Sequence, residues 1–208
     1  MNKKTFKRTL SLVLALAMTL LLSASIFAAE ADISGKDVFE KEELTKQQRL
    51  KGTIYFQNLN YAAACDGVLT VINKNDKTIM PTSVAGKLYV PLRFILEYYG
   101  AEVSWEHETK TVVISAGKNV FRLSTKDSSL WYGDRSKSLD NSCFINKGTT
   151  FVAFEDVSDI IVCDTYYYEE YNAGVIAMGE KWDPERQAEK EAVSAMEFAL
   201  SPFFKMFI

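Results

Sequence analysis

The residues from which a reaction could be built are few and scattered. His107 is the sole histidine in 208 residues, so an imidazole base or a Ser-His-Asp relay would have to be assembled around it. It stands in the polar run Glu106-His107-Glu108-Thr109 between two alternating apolar stretches, which is the pattern of a hairpin turn. A solvated turn residue is expected. Copper sites draw on several imidazoles or soft sulfur ligands, and one turn histidine cannot supply them. Paired acids such as Glu155 with Asp156 and Glu169 with Glu170 are no better placed, because neighbours on a strand point to opposite faces. Asparagine and aspartate in residues 73–77 suggest a calcium loop, yet the glycine and terminal glutamate of an EF-hand are missing. Ordinary turn chemistry explains them. The expectation is therefore no catalytic residue, no metal ligand set and no cofactor.

Recognition chemistry has a better candidate. Tyr166, Tyr167, Tyr168 and Tyr171 lie among Asp164, Glu169 and Glu170, and aromatic rings give large contact area with a polar handle. They read either as a platform for sugar rings or partner side chains, or as a hairpin whose alternate rings cover the sheet while the others face water. With Trp105 they form the expected binding surface. A carbohydrate-binding reading is favoured if rings of this cluster line one groove with Trp105 or Trp182.

Cys65, Cys143 and Cys163 have no CxxC or Cys/His spacing, so zinc or redox chemistry is not indicated. A Cys143–Cys163 bridge would close a loop of about 20 residues and contribute about 3 kcal/mol. A buried free thiol at Cys163, beside Ile161 and Val162, fits the sequence equally well.

The N-terminus supplies an address. Lys3, Lys4, Lys7 and Arg8 precede a nearly uncharged apolar run up to Ala29, the layout of a secretory signal peptide over residues 1–29. Cleavage after Ala28 or Ala29 fits the small-residue rule, with Ala29-Glu30-Ala31 a second option. The apolar core falls short of the roughly 20 residues a spanning helix needs, so no membrane span is expected after cleavage. Removal of 1–29 leaves 20 basic against 27 acidic side chains and moves the formal charge from −3 to −7. An acidic chain does not suit phosphate-driven nucleic-acid binding.

The elements that must position these residues recur. Lys87 to Val90 alternates as a strand, Pro91 suits a first helical turn, and Leu92, Ile95, Leu96 and Tyr99 make one apolar helix face that Gly100 ends. Ala101, Val103 and Trp105 then alternate, and a returning strand follows the turn at His107. Adding 62 to these positions gives a second copy: Gly86 maps to Gly148, Val90 to Val152, Leu92 to Phe154, Trp105 to Tyr167 and Gly117 to Gly179. In that copy the helix face becomes Phe154, Val157, Ser158 and Ile161, while the Gly100 stop becomes Val162.

Gly86, Val90-Pro91-Leu92-Arg93, Gly100-Ala101, Val103, Trp105, Thr109-Lys110-Thr111-Val112 and Ile114 together resemble the repeat of the copper amine oxidase N-terminal-like, or stalk, domain family found on secreted proteins of Gram-positive bacteria. The resemblance covers residues 53–180, as repeats of about 53–117 and 118–180. It implies an α+β fold in which a twisted antiparallel sheet wraps short helices, and a surface-exposed or wall-associated module. It does not imply amine oxidation, which in the oxidases belongs to a separate domain.

Residues 30–52 are polar and read as a flexible leader. Residues 181–208 read as a C-terminal helix capped by Asp183 with Pro184 at its first position, carrying Ala188, Ala192, Ala195, Met196 and Ala199 on one side, followed by an apolar tail. The sequence thus points to a secreted or cell-surface, non-catalytic envelope module whose partner would be a wall polysaccharide or an envelope protein.

Overall fold

A proline and a glycine set the length of the first helix. Pro91 is extended (φ −67°, ψ 110°) and ends strand β5 (Lys87–Pro91), so it caps rather than opens helix α1 (Leu92–Tyr98). Gly100 takes φ 82°, and the turn is closed by Gly100 N–H to Glu97 O at 3.0 Å and Ala101 N–H to Leu96 O at 2.9 Å. Leu92, Ile95 and Leu96 are buried, as their spacing predicts. At the corresponding place after β12 (Thr149–Ala153), a 3₁₀ turn (Phe154–Asp156) runs into a single helical turn, α2 (Val157–Ile160). Valine at 162 resists the left-handed stop, and the chain instead leaves through extended Ile161 (φ −132°, ψ 154°). The buried face is Phe154, Val157 and Ile160, so Ser158 is exposed and Ile161 only half-buried, unlike the predicted face.

The computed structural model describes residues 49–179 and 182–201, so the proposed signal peptide and most of the leader and apolar tail lie outside the described residues. The other strands are β1 (Thr53–Gln57), β2 (Ala62–Cys65), β3 (Val68–Val71), β4 (Thr82–Val84), β6 (Glu102–Glu106), β7 (Thr111–Ala116) and β8 (Asn119–Ser124). They continue as β9 (Ser129–Tyr132), β10 (Arg135–Ser138), β11 (Phe144–Asn146), β13 (Asp164–Tyr168) and β14 (Ala173–Ala177).

These strands form three antiparallel sheets where one wrapped sheet was expected. The orders are β13-β14-β1-β2-β3, β10-β9-β8-β7-β6 and β11-β12-β5-β4. Each sheet draws strands from both sides of Gly117. The fold class is α+β. Tight two-residue turns hold the hairpins, for example Ala85-Gly86 and Lys147-Gly148, all with positive φ.

The main core lies between the inner faces of the sheets and around α1 and α2, with Phe56, Ile95, Leu96, Leu123, Phe151 and Ile176 almost fully buried. A second core covers the outer face of the first sheet, where Tyr55 and Val175 meet Val193, Met196 and Leu200 of helix α3 (Gln187–Leu200). This helix differs from the predicted one. Asp183 Oδ1 accepts from Glu185 N–H at 3.1 Å in a preceding turn, and the helix starts three residues after Pro184. Its buried face is Glu189, Val193, Met196 and Leu200, because the larger side chains, rather than the alanine stripe, fill the sheet's apolar surface. Asn60 Nδ2 donates to Leu200 O and fastens the helix end.

Candidate functional site

Arg93 sits on the exposed side of α1, where Nη1 donates to Glu97 Oε1 at 3.1 Å and also to the Val103 carbonyl of β6. It therefore ties the helix to an edge strand. Val103 and Trp105 share the inward parity of that strand, opposite buried Ile114 and Val112. Across a gap stand Ile145 of β11 and Thr149 and Thr150 of β12. The result is a cleft of about 400 Å³ between two edge strands, with Leu92 and Val112 in its lining and Trp105 39% exposed at its side. His107 and Lys110 of the β6–β7 turn also line it. A smaller cleft of about 290 Å³ lies on the other side of Arg93 and Thr149, beside Phe94 and Tyr98.

The tyrosine cluster divides by strand parity. Tyr166 and Tyr168 point to the outer face of the first sheet and, with Tyr171, pack half-buried against the second core. Tyr168 Oη accepts from Trp182 Nε1 at 2.8 Å, and its ring centroid is 6.3 Å from that of Tyr171. Trp182 is 3% exposed. Tyr167 points the other way, is exposed, and donates from its hydroxyl to Asn172 Oδ1 at 2.7 Å. None of the four lines the Trp105 cleft.

The Cys143–Cys163 bridge is not formed, and all three cysteines are free thiols. Cys143 is buried beside Ser128, whose Oγ lies 3.4 Å from Sγ and accepts from Cys143 N–H at 2.9 Å. Burial pushes the Cys65 and Cys163 thiols up to about 11 and raises Cys143 as well. Asp156 is buried and accepts from Asn141 N–H at 3.0 Å and from Asn141 Nδ2 at 3.1 Å, whereas its neighbour Glu155 is exposed and pairs with Lys87 at 3.0 Å. In the 73–77 segment, Asn73 Oδ1 accepts from Asn75 and Asp76 N–H at 2.9 and 3.1 Å, so its oxygens cap a turn. Among the described residues no three His, Cys, Asp or Glu side chains are placed to share a metal.

Sequence reasoning singled out Trp105 but missed the opposite wall, Ile145, Thr149 and Thr150. No local pattern marks them, since they reach the site only through the β5–β12 pairing. The motif arginine carried a signal: Glu155 stands 62 residues after Arg93, the offset at which the sequence leads one to expect a second copy.

A family model described as the copper amine oxidase N-terminal domain matches residues 71–176, half of the chain. No curated protein and no solved structure matches the chain. Among the described residues no helix is long and apolar enough to cross a membrane.

Proposed function

This chain belongs to the copper amine oxidase N-terminal domain family, and on that premise we propose that it is a secreted, non-catalytic cell-envelope module with a structural, stalk-like or binding role. The matched domain is the non-catalytic N-terminal part of those oxidases. The observation that carries the reading is the shared construction of the three sheets. Strands from both sides of Gly117 interleave in each of them, which suits a rigid spacer better than a hinged enzyme.

We infer further that one unit is used twice. In its support, β5, α1 and β6 have bounds 62 residues before those of β12, the helical segment 154–160 and β13. Strands β1 to β3 extend the second sheet-forming hairpin as β8 to β10 extend the first: Ile54 faces Cys65 as Phe121 faces Tyr132, and Ala62 faces Val71 as Ser129 faces Ser138. The meander of each half therefore completes the sheet of the other half's hairpin. Exchange of this kind joins two small units, neither of which has a full core alone, into one body.

The second reading is a carbohydrate or wall-polysaccharide binder; Tyr167 and Trp105 are both exposed, but they do not share the groove that would favour it, so each would have to act as a separate contact. A pull-down of the full chain on purified peptidoglycan and wall polysaccharide, with a Tyr166/Tyr167/Tyr168→Ala variant beside it, separates the two. Binding lost in a folded variant would make this a recognition module with its site in the second half. Failure of both proteins to bind would leave the structural role.

A further inference from the structure

We propose that the cleft beside Trp105 binds a sugar ring carrying a carboxylate, as a unit of an acidic glycan. The inference rests on the binding reading above and gives it a site and a ligand class. In the second half the space that matches the cleft is taken up by the protein itself. Phe154 stands where the first half has Leu92, and its ring lies over Gly174, where the first half has Val112. A Cβ at Gly174 would come within 2.5 Å of that ring. Lys87 and Glu155, at the places of Thr149 and Arg93, form an ion pair at 3.0 Å. Tyr167 and Asn172, at the places of Trp105 and Lys110, are joined by a hydrogen bond of 2.7 Å.

The first half has none of these closures. Leucine replaces phenylalanine, threonine replaces lysine, and Arg93 turns to the Val103 carbonyl and Glu97. About 400 Å³ remains open, within the usual range of about 300 to 1,000 Å³ for small-ligand sites.

Three features of the lining choose the ligand. Its ionisable side chains, Arg93, His107 and Lys110, are all basic, in a chain with a formal charge of −3. The nearby Glu106 carboxylate accepts from the Thr109 hydroxyl at 2.5 Å, and Glu97 is engaged by Arg93. Carboxylate recognition by arginine and lysine follows directly. Trp105 offers an indole beside apolar Val103 and Ile145, a surface for the C–H face of a sugar ring. Ser104, Thr149 and Thr150 supply hydroxyl partners. An extended acidic peptide fits less well, because Arg93 already takes the Val103 carbonyl on the edge along which a strand would add.

The test is calorimetric titration of the full chain with an oligogalacturonate, an uncharged galactose oligomer of equal length and a polyglutamate peptide. Three variants accompany it: Trp105→Ala, Lys110→Asn, and the paired change Leu92→Phe with Val112→Gly, which transfers the second half's closure. Lys110 has φ 55°, a conformation asparagine accepts, so that variant keeps the fold. The oligogalacturonate should bind, Trp105→Ala and Lys110→Asn should each weaken it about tenfold, and the closed variant should not bind while still unfolding cooperatively. Equal binding of the neutral oligomer, preference for polyglutamate, or undiminished binding by the closed variant would overturn the proposal. If the closed variant still sediments with wall polysaccharide, the site assigned here is wrong and the broader binding reading stands. If the full chain binds neither wall material nor oligogalacturonate, both fail.

Discussion

Val90 of β5 and Val152 of β12 face each other across an antiparallel pair, and they are 62 residues apart, the same offset that separates Leu92 from Phe154. On the proposed repeat these strand partners are also corresponding residues, which would place a local two-fold axis between them. Pairings on either side of the axis then come in matched sets: Thr82 faces Tyr89 as Phe144 faces Phe151, and Glu102 faces Ser115 as Asp164 faces Ala177. The proposed symmetry makes the differences between the halves informative, above all the open cleft in one and the ring-filled space in the other.

Gly174 and Phe154 form one packing unit. Gly174→Ala should destabilise by about 1 to 3 kcal/mol, because the new methyl group overlaps the ring. Adding Phe154→Leu, the residue found at position 92, should recover part of the loss. Denaturant midpoints of the two single variants and the double variant measure the coupling, and strict additivity would refute it.

The helix face is tested by truncation. Leu96→Ala should cost about 2 to 5 kcal/mol, since Leu96 is 1% exposed in the main core. An unchanged unfolding midpoint would contradict that placement.

Burial raises the Asp156 carboxyl above its ordinary 3.8, against the opposing effect of its Asn141 hydrogen bonds. The native state then holds a proton that the unfolded chain has released, so this residue's contribution to stability falls as pH rises from 3.8 through the raised native value. Asp156→Asn should remove that component. Chemical unfolding of both proteins across this window measures it, and parallel pH profiles would show that the carboxyl does not titrate as described.

The thiols should titrate as three per chain under denaturing, non-reducing conditions. In the native protein, alkylation near neutral pH should be slow, because thiols raised by burial hold little thiolate. A count of one would restore a disulfide.

The local units were legible in the sequence because their signals are local. Pro91, Gly100, the face of Leu92, Ile95 and Leu96, and the alternation through Val103 and Trp105 each act within a few residues. Helix α3 was misplaced because its face is chosen by the sheet it covers: Val193 and Leu200 follow Tyr55 and Val175, and alanine spacing carries no record of them. The division into three sheets was not legible either, since β1 meets β14 across more than 100 residues of chain. The cleft shares that origin. Trp105 could be suspected from its type, but Ile145 and Thr149 join it only after the Val90–Val152 pairing has formed.

Interleaving of the halves is tested most directly by cutting between them. A protease site placed in the β7–β8 turn at Gly117-Lys118 should be tolerated, and cleavage of the folded chain leaves one piece holding β1 to β7 and another holding β8 to β14. Because each sheet needs strands from both pieces, the cut protein should elute as a single species with unchanged circular dichroism and separate only in denaturant. Two pieces that part under native conditions, each keeping its own sheet structure, would contradict the account.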